Sequence, residues 1–170
     1  MIMFRLGSTS KINWIFVFDD TYNMVKMDVT KFGSSTGQFY SNTDIKYVLN
    51  TGREIHKLKG FKETNADGID EEHLMAIESD ANDLHTVCRY KVDPINEVIT
   101  LLDSTEIGYD EVSSIDWDEK YLVVGMPEAN DGKGKMIILD NQDLSLFHEI
   151  EGTSSIKSIG QKVNIFPWTI

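Results

Sequence analysis

The sequence predicts an all-β protein, and three observations predict it. Short segments rich in Val, Ile, Phe, Tyr and Thr recur along almost the whole chain, separated by clusters of Gly, Asn, Asp and Ser that favour turns. No long window carries apolar residues at helical spacing. Proline occurs only at Pro94, Pro127 and Pro167, each where a strand should end or a turn begin.

In chain order, strands are expected at 14–18, 24–29, 45–49, 74–78, 86–91, 98–102, 112–116, 121–125, 135–139 and 144–150. The first of these lies in the most apolar early stretch, 12–18, which follows Lys11 like a signal-peptide core. It is short for one, Asp19 and Asp20 follow at once, and no small-residue cleavage site comes after, so it reads as a buried strand. No stretch approaches the roughly 20 apolar residues of a spanning helix. The expectation is synthesis in a cytoplasm, with the chain either staying there or entering a particle.

With 170 residues, the chain has the length of one ordinary domain, here 1–170. Its 41% apolar content supplies a packed core, which argues against wholesale disorder. Asp and Glu outnumber Lys and Arg by 28 to 16, a net charge of −12 that repels phosphate backbones and anionic headgroups. Neither nucleic acid nor membrane is therefore an expected partner. Cys88 is the only cysteine, so one chain can build neither a disulfide nor a cysteine-rich zinc site.

A repeat refines the fold class. Residues 74–102 align with 122–150 at an offset of 48, placing Ala81-Asn82-Asp83 over Ala129-Asn130-Asp131 and Leu74 over Leu122. Each copy reads strand, acidic turn, strand, turn, strand, and the linking segment 112–116 supplies a fourth strand. Four antiparallel strands in roughly 40 to 50 residues is the size of one β-propeller blade. Segments 13–29 and 44–59 read as shorter, decayed hairpins of the same kind. The expected architecture is about three to four propeller-like blades: decayed hairpins in 1–60, a blade in 61–110, and a blade plus C-terminal strand in 111–170. Closed propellers use typically 4 to 8 blades, so a partial ring completed by other chains is expected. The apolar Phe166-Pro167-Trp168 tail is a terminal strand packing on its own domain, or else a cap for a blade end or a segment that docks on a neighbouring chain.

Residues 115–139 resemble the FG-GAP (integrin α-type) β-propeller repeat. Leu122, Val123, Val124, Gly125 and Pro127 match its strand core, with Met126 where the family usually has Ala. Here Val123 fills a two-faced blade interior, Gly125 permits close backbone approach, Pro127 ends the strand and Asn130-Asp131-Gly132 makes a tight turn. Family repeats often carry a calcium loop before the inner strand. The resemblance places Glu63, Asn65, Asp67 and Glu71 as side-chain ligands, Ile69 as a backbone carbonyl ligand and Gly68 at the sharp turn. Glu63 stands where the family has Asp, and Glu72 and His73 are extra residues before the expected strand. Position 12 of the loop is Leu74, which excludes an EF-hand. The resemblance covers about residues 61–150.

Catalytic readings fare worse. Cys88 lies three residues from His85, yet on a strand the two face opposite sides. His56, His73 and His148 show no ligand spacing. Asp116 and Asp118 flank Trp117 as a conceivable glycosidase pair, but solvation in a turn explains them more simply. Gly132-Lys133-Gly134-Lys135 lacks the phosphate-loop spacing. The expected function is a non-enzymatic structural or protein-interaction module, one subunit of a larger assembly such as a viral or phage tail, binding protein partners or itself through blade edges. The alternatives are a calcium-stabilised module recognising a glycan or receptor, and a propeller-type glycoside hydrolase.

Overall fold

The structure is a computed structural model and describes residues 2–4, 14–18, 23–28, 45–93 and 98–165. The described chain is all-β, as expected, with twelve strands. These are β1 (Ile2–Phe4), β2 (Trp14–Phe18), β3 (Asn23–Asp28), β4 (Ile45–Asn50), β5 (Glu54–Thr64), β6 (Asp70–Ser79), β7 (His85–Asp93), β8 (Val98–Gly108), β9 (Ser114–Trp117), β10 (Tyr121–Met126), β11 (Lys135–Asp140) and β12 (Leu146–Glu151). They form three four-stranded sheets, β1-β2-β3-β4, β5-β6-β7-β8 and β9-β10-β11-β12, so every hydrogen-bonded neighbour is also a neighbour in sequence. Among the described residues no helix is long and apolar enough to cross a membrane. The Phe166-Pro167-Trp168 tail lies outside the described residues.

The chain's contacts cluster into two compact units, Met1–Ala76 with Tyr90–Leu102, and Ile77–Arg89 with Asp103–Ile170. The first contains the β1–β4 sheet, whose antiparallel register sets Ile15 opposite Met27 and Lys26 opposite Lys46. It also buries Leu58, Leu74, Met75, Tyr90 and Val92. The second contains the β9–β12 sheet, antiparallel throughout, with Val124 opposite both Ile115 and Ile137. Alternation along β10 and β11 puts Leu122, Val124, Met126, Ile137 and Leu139 on one almost fully buried face.

Strand β1 has no counterpart among the expected strands, and two further strands differ from expectation in kind. Strand β5 is long where only a decayed hairpin was expected, and the 44–59 segment is divided between sheets, with β4 closing the first and β5 opening the second. The Thr51 hydroxyl accepts from the Arg53 N–H at 3.1 Å, and Gly52, at φ 65°, makes the turn between them. Strand β6 starts at Asp70, so Glu72 and His73 do not precede the strand but belong to it. Eight consecutive residues of β6, Glu72 to Ser79, are buried, which masks the period-two pattern that marks a half-exposed strand. Leu144, expected to open a strand, lies instead in the β11–β12 turn at φ 56°.

The repeat has a structural counterpart. Leu74 and Leu122 lie on the second strands of their sheets, and the 81–83 and 129–131 segments are the turns from second to third strand. Asp83 and Asp131, equivalent in the alignment, adopt left-handed backbone at φ 62° and 58°. Asp and Asn tolerate that conformation better than most residues, and both turns supply them there. With Asn130 also left-handed, residues 129–132 form the tight turn expected from their sequence.

Candidate functional site

Among the described residues, the hairpin joining β5 to β6 gathers a network of charged side chains. Asn65 builds its turn: its N–H donates to Ile69 O at 2.9 Å, and its Oδ1 accepts from the N–H groups of Asp67 and Ile69, both at 3.0 Å. Gly68, at φ 75°, donates to Asn65 O and supplies the left-handed step that the turn requires. This closure sets Glu63 opposite Glu71 and Phe61 opposite His73. Like charges facing each other across a hairpin are destabilising, and the neighbouring groups offset it.

Glu71 Oε1 accepts from Asn65 Nδ2 at 3.0 Å and lies 2.7 Å from Lys91 Nζ on β7. The Lys91 ammonium, then the Asn65 amide, holds the Glu71 carboxyl below its ordinary value, against the partial loss of hydration. The second oxygen of Glu71 and Oε2 of Glu63 approach His73 Nε2 at 3.7 and 3.6 Å. The His73 ring is buried and stacked on Phe61, with centroids 5.2 Å apart and planes 22° apart. Lys62 and Glu72 form a further pair at 3.2 Å.

Of the five positions expected to bind calcium, the structure thus brings Glu63, Asn65 and Glu71 into one network, while Asp67 and Ile69 stand exposed at the tip. Both lone pairs of Asn65 Oδ1 are engaged by backbone N–H groups, and Ile69 O receives another. Two of the five expected ligand oxygens, Asn65 Oδ1 and Ile69 O, thus serve the turn's own hydrogen bonds. Among the described residues no group of three or more His, Cys, Asp or Glu side chains is arranged to hold a metal ion. Sequence reasoning passed over His73, Lys91 and Phe61 as members of this network. The signal was present in the hairpin arithmetic, because a turn centred on Asp67 places Phe61 and Glu63 across from His73 and Glu71.

The carboxylates weighed for glycoside hydrolysis have structural duties. Asp116, on β9, accepts the Ile165 N–H at 2.7 Å, and Asp118 accepts from the N–H groups of Lys120 and Tyr121 at 2.8 and 2.7 Å. Cys88 is buried on β7, three positions from His85 and therefore on the opposite face. Gly125 behaves as its sequence context suggests: a Cβ there would meet Gly160 O at 2.0 Å, so the backbone approach is one that only glycine permits. Pro127 follows the last residue of β10.

The fourth strands of the second and third sheets end those sheets and expose apolar side chains. Val98, Leu101 and Leu102 are exposed on β8, and Leu146 and Phe147 on β12. Val98 and Leu146 are equivalent in the repeat and are 50% and 60% exposed, in contrast to Leu74 and Leu122 at 0%.

No protein-family model matches the chain, no curated protein matches it, and no solved structure matches it. The expected FG-GAP resemblance of residues 115–139 therefore has no family-model support.

Proposed function

We propose that the chain is a β-propeller-like, non-enzymatic interaction module, in which each four-stranded sheet is a blade, and that it works as a subunit of a larger assembly joined through blade edges. The observation that carries this reading is the pair of repeat-equivalent edge positions, Val98 and Leu146, which keep apolar side chains in solvent on strands that end their sheets. Edge strands that function alone are usually short, charged or covered. The order of strands supports the blade assignment, since each sheet is a run of four consecutive strands. Three such sheets are fewer than the 4 to 8 blades of typical closed propellers. The net charge of −12 favours partners with a basic contact surface.

The mass of the purified chain by light scattering, at concentrations from about 1 to 100 μM, tests the reading. A discrete multimer supports it. A 19.3 kDa monomer throughout leaves partner capture as its only form, and a monomer whose β8 and β12 edges are protected from hydrogen exchange on their own overturns it.

A further inference from the structure

Residues 158–165 follow β12 and a compact turn, and return across one face of the third sheet. That face is defined by register: Ser114 lies opposite Gly125 and Asp116 opposite Val123, while Met136 and Ile138 pair with Gly125 and Val123 from the other side. The returning segment is held by side chains of β9 and its approach. Ser114 Oγ donates to Gly160 O at 3.0 Å and accepts the Val163 N–H at 3.1 Å; Asp116 Oδ2 accepts the Ile165 N–H at 2.7 Å. Ser113 Oγ lies 2.9 Å from Gly160 O and 3.1 Å from Gln161 O. Because 163 and 165 bond to 114 and 116 in the same order, the segment runs parallel to β9 over its face.

The crossing point is two glycines. A Cβ on Gly160, whose φ is 87°, would meet Gly125 Cα at 2.8 Å, Met126 N at 2.7 Å and Lys135 O at 2.4 Å. At its root the segment touches the β10–β11 connection through backbone, with Gly134 and Ile159 forming an isolated parallel bridge and the Ile159 N–H donating to Lys133 O at 3.2 Å. Beyond that root its bonds go to side chains, and Val163 is its only buried side chain. The β9–β12 ladder is complete without it.

We propose that residues 158–165 are a latch: a strap keyed by the Gly125–Gly160 crossing that opens as a unit while the third sheet stays folded, and that in doing so uncovers the face carrying Ser114, Asp116, Val123, Gly125, Met136 and Ile138. The reasoning is one of separable bonds. Nothing in the sheet's ladder has to break when the strap leaves, and little apolar burial opposes its leaving, which are the conditions for sub-global opening. Gly125 is the natural key because its own backbone is ordinary strand, so Ala there suits β10 and conflicts mainly with what crosses it.

Hydrogen exchange of the full chain, read by mass spectrometry, tests this. Amides of 159–165 should exchange on the order of 100-fold faster than those of β10 and β11. Gly125→Ala should speed the strap by about tenfold or more while leaving β11 within about threefold of the parent. Val163→Ala, away from the ladder, should do the same and serves if the Gly125 variant is poorly folded. Strap and ladder exchanging together in the parent chain, or either variant opening both equally, overturns the latch.

Discussion

Lys91 Nζ sits 2.7 Å from Glu71 Oε1, across the strand pair β6–β7, and the same carboxylate oxygen accepts the Asn65 side-chain amide. Both partners favour the ionised carboxylate, so the folded protein binds a proton at Glu71 less readily than the unfolded chain. A lowered folded-state pKa contributes stability that is present above the ordinary value of 4.5 and is lost as pH falls through the folded value. Thermal melts from pH 7 to pH 3 should show a fall in Tm below about pH 4.5. Lys91→Met should flatten the part that belongs to Glu71, and a parent-like pH profile in that variant would show that the pair does not couple to folding.

Leu74 and Leu122 are equivalent in the repeat and wholly buried, each on the second strand of its sheet. Truncation of either to Ala removes buried methyl groups and leaves a cavity, for about 2–5 kcal/mol. The fourth-strand equivalents, Val98 and Leu146, should respond differently: Val98→Thr and Leu146→Thr should stay within about 0.5 kcal/mol of the parent. Denaturant unfolding of the four variants measures the contrast. Equal losses at all four positions would mean that the edges are packed in the isolated chain.

The fold was legible wherever period and turn chemistry agreed. Strands β2, β3, β10 and β11 stand within a residue or two of their expected positions, because apolar residues there, β-branched and aromatic in β2, β10 and β11, are bounded by Asp, Asn or Gly. Strand β5 was hidden by its composition: Glu54, His56, Lys57, Lys59, Lys62 and Glu63 make it look solvated, and its partners, not its own apolar content, make it a strand. The start of β6 was hidden for the opposite reason, since burial of Glu72 and His73 depends on Lys62 and Phe61 across the hairpin. The candidate site shows the same limit. An acidic loop reads as a ligand set along the chain, but which oxygens remain available is decided by N–H groups that only the folded turn brings to them.

The Asn65 turn yields a direct test of calcium. Since Asn65 Oδ1 holds the Asp67 and Ile69 N–H groups, Asn65→Ala should destabilise by about 1–2 kcal/mol in the presence or absence of chelator. The melt of the parent chain should be indifferent to chelation of calcium. A chelator-dependent drop in Tm, absent from Glu63→Gln and Glu71→Gln, would instead establish the calcium loop and require the Asx turn to reopen around the ion.

The turn between β11 and β12 is received by side chains of the second sheet that belong to the same compact unit. The Arg89 guanidinium donates to Gln142 O, and Thr105 Oγ1 donates to Leu144 O at 2.8 Å. Within the turn, Asn141 Nδ2 donates to Asp118 O at 2.9 Å, and left-handed Leu144 is fully buried. Arg89 is itself 7% exposed, so its removal takes a charged donor from the Gln142 carbonyl and leaves a space shaped for guanidinium. Arg89→Met should cost about 2–3 kcal/mol and Thr105→Val about 1 kcal/mol. Because both hold one short turn, loss of the first should loosen the hold of the second, and the double variant should cost less than the two single losses combined, by at least about 0.5 kcal/mol. A double-mutant cycle by denaturant unfolding measures that difference. Strict additivity would mean that Gln142 and Leu144 are fixed by the turn's own bonds, and that Arg89 and Thr105 act on it independently.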